Sequence, residues 1–368
     1  MVKDEAKISK NLRMEEDKFF YQDDTSEIPP ADVFAYNELR SCADLVRLFK
    51  SKTLNIQPEF QREFVWRKPE QTRFIDSLAK ALPIPSMCFA VDVKTQKWIV
   101  IDGLQRMSTI IKFLDDDKWT LSSLREIDSR ISGKEVYEIK NKHPDLYRSV
   151  ENLALPITIL RCDLSKKSHT NYIFTIFSRL NTGGMKLNNQ ELRNAIYQGE
   201  LNDLLKTSNN FDKWNSLLGV QSELRATGDR FKRIELILRF YAFFDNYKNY
   251  NGRLAKFLND YMESKQKIAK NEINQKKVLF ENTVAFVYEK IAKKTTFNRV
   301  SNAFLEALLF GVAKNIKSLE LNETTLIEYR YQQFSENKIF SPENIREGIL
   351  KREKVFKRLE TAEKIFRG

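Results

Sequence analysis

Asp102, Gly103, Gln105, Arg106, Ser108 and Thr109 fall within eight consecutive positions, and together they carry the chemistry to hold a phosphate. Arg106 offers a planar fork of donors that grips phosphate oxygens two at a time, and Ser108 and Thr109 bring hydroxyls within a turn of it. Gly103 lets backbone come close to a ligand. Asp102 can orient the fork, hold Mg²⁺ or position a water, and Gln105 can orient the phosphate or the water. On these residues alone a second reading stays open, in which an ordinary turn precedes an ordinary helix and Arg106 is simply solvated.

The flanking residues say what must position this group. Trp98 to Ile101 is a short β-branched run, Asp102-Gly103 favours a tight turn with positive φ, and Leu104, Met107, Ile111 and Leu114 then recur at helical spacing. The predicted order is strand, turn, helix. The first N–H groups of such a helix lack internal partners and sit at the positive end of its dipole, so the junction favours an anion.

Upstream, Ser41 caps a predicted helix through Ala43, Leu45, Val46, Leu48 and Phe49. Residues 56–66 read as a structured loop pinned by Phe60, Phe64 and Trp66, with Gln61 and Arg62 pointing outward. Pro69-Glu70 opens a helix with Phe74, Ile75, Leu78 and Leu82 on its apolar face. Residues 87–93 and 98–101 flank Lys94 to Lys97 as a β-hairpin.

Downstream, residues 118–150 form a loop-rich insertion with short helices, 155–162 a strand, and 171–180 a helix. Asn181-Thr182-Gly183-Gly184 ends that helix, and Asn181 and Gly183 are either this stop signal alone or part of the phosphate site as well. Asp115, Asp116 and Asp117 are adjacent on a helix end and cannot all face one ion, so they are expected to form a solvated turn.

A chain of 368 residues exceeds what one core usually serves. The expected organisation is a polar arm over 1–30, a core over 31–187 and a basic helical domain over 188–368. Of the net charge of +12, residues 1–185 hold 29 Lys+Arg against 27 Asp+Glu, net +2, leaving 33 against 23, net +10, to the remainder. That excess attracts polyanions, DNA first. Individually, Arg230, Lys232, Arg233, Arg239 and the run Lys351 to Arg358 are expected on solvated faces. The 3 cysteines are far apart and offer no metal framework, which fits a reducing cytosol. With no apolar run long enough to span a bilayer and a charged N-terminus, a cytoplasmic protein is expected.

Three motifs in order resemble the N-terminal domain family of the GmrSD-type restriction enzymes, whose core is similar to ParB and sulfiredoxin. They are Phe60-Gln61-Arg62-x-x-Val65-Trp66, then Ile101-Asp102-Gly103-x-Gln105-Arg106-x-Ser108-Thr109, then Phe177-x-Arg179-x-Asn181-Thr182-Gly183-Gly184 continued through Leu187 to Glu191-Leu192-Arg193. The resemblance implies an α+β fold, a ParB/sulfiredoxin-like mixed core followed by an all-helical domain. It also implies a nucleotide-binding protein, a weak Mg²⁺-dependent NTPase acting as the sensing subunit of a restriction or phage-defence system, with DNA and a separate nuclease subunit as its further expected partners. In that reading Asp102, Gln105 and Arg106 carry the activity, Asp102 holds the metal, and Gln61, Arg62, Gly103, Ser108, Thr109, Asn181 and Gly183 bind the nucleotide. Leu104 departs from the family's Asp-Gly-Gln-Gln-Arg signature and removes a hydrogen-bonding group. The His-Asn-His nuclease half of larger relatives is expected to be absent, since both histidines, His143 and His169, lie before residue 170. The alternatives are a non-catalytic DNA-binding or adaptor module and a ParB-like nuclease.

Overall fold

A computed structural model describes residues 29–56, 66–180, 189–220, 230–297, 300–341, 344 and 349–367. The chain divides into compact units between Leu187 and Asn188. The arm expected over 1–30 lies outside the described residues except for Pro29 and Pro30.

The first unit is built on a five-stranded mixed sheet of order β1-β5-β3-β4-β2. Strand β1 is Phe34–Ser41, and Ser41 then caps α1, Cys42–Lys50, by accepting from the Asp44 N–H at 3.1 Å. After β2, Leu54–Asn55, the chain enters α2, Lys68–Ala79, with proline in its first turn. Strands β3, Met87–Asp92, and β4, Trp98–Asp102, form the expected antiparallel hairpin. Every residue of β3 is buried, as suits a strand in the middle of a sheet.

The hairpin leads through Gly103 into α3, Leu104–Asp115. The expected insertion contains α4, Val136–Lys142, and α5, Pro144–Asn152. It is tied to α2 where Thr72 Oγ1 accepts from Ser122 N–H and Asp76 Oδ1 accepts from Asp128 N–H, each at 2.9 Å. Strand β5, Ala154–Cys162, runs antiparallel to β1 and parallel to β3. Helix α6, Lys167–Leu180, closes the described part of the unit and packs on β4.

Strand β1 was not apparent from the sequence. Phe34 and Leu39 are 65% and 70% exposed, so the segment lacks the alternation that marks a half-buried strand. Its conformation comes from eight consecutive pairings with β5, more than a hundred residues away.

The second unit is helical throughout its described residues. Helix α7, Asn189–Ile196, is separated from α8, Glu200–Asn209, at Gly199, whose φ of 133° interrupts the helical backbone. There follow α9, Asp212–Leu217; α10, Arg230–Asn246; α11, Leu254–Ser264; α12, Lys270–Phe286; α13, Asn302–Leu319; α14, Thr324–Ser335; and α15, Arg352–Arg367.

Lys351, Arg352 and Lys357 are exposed as expected, but the expectation of solvated faces is corrected at Arg233, Arg239 and Arg358. Arg233 and Arg239 of α10 are 6% and 4% exposed, and Arg358 is 3% exposed. Arg358 donates to the Ile349 carbonyl at 2.8 Å. Glu235 receives Arg193 at 2.9 Å on one carboxylate oxygen and Arg239 at 3.0 Å on the other, while Arg193 also donates to Asn259 at 2.7 Å. Glu306 lies 3.8 Å from Arg239, so two carboxylates balance two guanidiniums. That balance is what lets the charges be buried. Burial lowers the Arg193 pKa, opposed by the charge of Glu235.

Candidate anion-binding site

Gly103 is the N-cap of α3 and adopts φ 95°, a left-handed conformation that glycine enters without strain. A Cβ there would meet Met87 Cγ at 2.5 Å, so close packing from β3 requires glycine as well. The strand ahead of it is irregular: the β3–β4 register shifts between Cys88 and Phe89, directly opposite the end of β4, and such a bulge re-aims a strand end.

The first bond within α3 runs from Met107 N–H to the Gly103 carbonyl at 2.8 Å, and no side chain caps the helix. The N–H groups of Leu104, Gln105 and Arg106 therefore find no acceptor among the described residues. Three aligned donors at the positive end of a three-turn helix are what an anion needs.

Arg106 occupies the third position of this helix, but it is not the solvated cation of the simpler reading. Its side chain is 14% exposed and ion-paired with Asp102 at 2.7 Å, one helical turn back. The fork also donates to the Pro85 carbonyl and, at 3.5 Å, to that of Ser86. Arg106 thus ties together the end of β4, the start of α3 and the loop entering β3. Of its five donors, Nε–H and one Nη1–H have no acceptor among the described residues. Burial lowers the pKa of the guanidinium, with the Asp102 carboxylate acting in the opposite direction.

Gln105 is half-buried, and its Oε1 accepts from the Trp66 N–H at 3.2 Å. The residue that ends the Phe60–Trp66 motif thereby touches the central junction. The Trp66 ring packs edge-on against Phe74 of α2, 5.4 Å between centroids. Gln71 of α2 holds the other backbone group of the same residue, Nε2 donating to the Trp66 carbonyl at 2.9 Å. Sequence reading missed Gln71: a polar residue between Glu70 and Thr72 gives no sign that it is 2% exposed.

The hydroxyls lie deeper. Thr109 is fully buried and donates to the Gln105 carbonyl at 2.7 Å, while Ser108 is 3% exposed with its Oγ unpartnered. Leu104, the departure from the family signature, is 6% exposed, so an apolar side chain suits its place. Gln61, Arg62, Asn181 and Gly183 lie outside the described residues.

The consecutive aspartates after α3 go separate ways: Asp115 pairs with Lys50 at 2.6 Å, Asp117 with Lys140 at 3.3 Å, and Asp116 accepts from the Lys118 N–H. Among the described residues no group of three His, Cys, Asp or Glu side chains could hold a metal, and no helix is long and apolar enough to cross a membrane.

The molecule is an α+β protein whose first unit presents an uncapped helix N-terminus beside an Asp–Arg pair. Residues 45–198 match the model of the GmrSD restriction endonuclease N-terminal domain. The span contains all three motifs named above. No curated protein and no solved structure matched the chain. The matched domain points to a restriction-type role in phage defence.

Proposed function

We propose that the N-terminus of α3 binds the phosphates of a nucleotide, and that the protein is a nucleotide-dependent, weakly hydrolytic sensing component of a restriction system. The observation that carries this is the set of three unaccepted N–H groups following a left-handed Gly103, with Arg106 fixed beside them. Asp102 and Arg106 have the donor set that a magnesium-bound phosphate requires. One Asp102 oxygen is paired with Arg106, the side chain is 34% exposed, and the other oxygen has no partner among the described residues, which suits a Mg²⁺, an ion that takes one or two carboxylates and completes its shell with phosphate and water. The ion supplies charge neutralisation when bound. Gly103 admits the phosphate, the N–H groups of Leu104 to Arg106 bind it, and Arg106 balances its charge from a position held by Asp102.

Buried cations weigh against a purely electrostatic DNA-binding role for the helical unit. Arg193, Arg233, Arg239, Lys276, Arg330 and Arg358 are all buried, so they add little to a surface field. Isothermal titration of the protein with Mg-ATP and Mg-GTP, at two salt concentrations and with and without duplex DNA, tests the reading. Nucleotide binding that persists at the higher salt supports it. DNA binding that needs no nucleotide and falls steeply with salt, with no nucleotide bound, would overturn it in favour of a DNA-binding module.

A further inference from the structure

The backbone N–H and carbonyl of Trp66 are each held by a carboxamide, and the polarity of those two groups settles which way each carboxamide points. Its N–H can only donate, so the atom of Gln105 that faces it is the oxygen, at 3.2 Å. Its carbonyl can only accept, so the atom of Gln71 that faces it is the nitrogen, at 2.9 Å. With Oε1 of Gln105 turned to Trp66, the end of the carboxamide that points away is Nε2, which has no acceptor among the described residues. Gln105 is the second residue of α3, in the same turn as the three unaccepted N–H groups.

We infer that Gln105 presents Nε2 to the occupant of the α3 N-terminus as a hydrogen-bond donor, held in that orientation by the Gln71–Trp66–Gln105 clamp, and that Gln71 is a positioning residue of the site. This rests on the nucleotide reading above and sharpens it. A donor at that position suits a phosphate oxygen. Gln71 also behaves as a residue kept for its bond to Trp66. It is 2% exposed, yet its Oε1 is buried without a partner, a cost that an apolar side chain of the same size would avoid.

The test combines amide exchange at Trp66, read by NMR on the full chain, with titration of Mg-ATP and Mg-GTP. In Gln105→Glu a carboxylate still accepts from Trp66 but donates nothing, so Trp66 exchange should stay within about twofold of wild type while affinity falls at least about 10-fold. In Gln71→Met the clamp is broken, so Trp66 exchange should quicken by about 10-fold and affinity weaken by roughly 3- to 10-fold. Gln71→Glu, which keeps the volume and loses the donor, should repeat that result if the methionine variant folds poorly. Gln105→Glu binding nucleotide as well as wild type would overturn the donor role, and Gln71 variants with unchanged Trp66 exchange would overturn the clamp. A wild-type chain that binds neither nucleotide counts against both the nucleotide reading and the donor role, while the exchange data still decide the clamp.

Discussion

Arg106 Nη2 lies 2.7 Å from Asp102 Oδ2 across the glycine that joins strand to helix, so the two ends of the junction are fastened by their own side chains. The pair makes the seat rigid before any ligand arrives. A preformed set of donors need not be reorganised when charge is placed in it. The bonds from Arg106 to the Pro85 and Ser86 carbonyls extend the same fastening to the loop entering β3.

Removing the guanidinium should therefore cost stability as well as binding. Arg106→Leu is expected to destabilise the chain by roughly 1–3 kcal/mol, a range discounted because Asp102 is 34% exposed. Arg106→Lys should recover only part of this, since an ammonium cannot reach an aspartate and two carbonyls in the geometry of a planar fork. Urea unfolding of the three proteins checks it, and equal midpoints for leucine and wild type would contradict the fastening.

Gly103 is demanded by conformation and by space. Gly103→Ala should cost about 2–4 kcal/mol, combining a left-handed penalty of roughly 1–2 kcal/mol with the clash against Met87. Gly103→Asn separates the causes. Asparagine tolerates the backbone angle but still brings a Cβ, so it should unfold nearly as early as alanine if Met87 matters, and close to wild type if only φ does.

The thiols should be inert in the native state. Burial pushes Cys42, Cys88 and Cys162 up to about 12, with Asp102 adding to the effect at Cys88. A raised thiol pKa means the fold favours the protonated form. The associated stability is complete below the ordinary thiol pKa and is lost as pH climbs toward 12. At pH 8 a thiol reagent should label none of the 3 cysteines in folded protein and all of them in denaturant. Rapid native labelling would contradict their burial.

In the helical unit the buried charges should behave as a network. Glu235→Leu leaves two guanidiniums without their shared carboxylate and should cost about 3–5 kcal/mol. Arg193→Met leaves Glu235 paired with Arg239 and should cost less. Thermal or urea denaturation measures both, and a Glu235→Leu loss below about 1 kcal/mol would show the network to be dispensable.

What could be read from the sequence was what is local. The Ser41 cap, the β3–β4 hairpin, the left-handed turn at Gly103 and the start of α3 each depend on a few neighbouring residues. Strand β1 was invisible because its partner lies far along the chain. At the site, the identity of the junction was legible, while the partners of Arg106 at Pro85 and Ser86, and Gln71 behind Trp66, are brought in by folding. The buried arginines were misread for a related reason: a charge looks like surface until its counter-charge is found on another helix.

The most direct test is a crystal structure grown with a non-hydrolysable nucleoside triphosphate and Mg²⁺. The prediction is phosphate density with oxygens about 3 Å from the N–H groups of Leu104, Gln105 or Arg106. A triphosphate bound elsewhere on the chain, with those three groups facing only water, would contradict it.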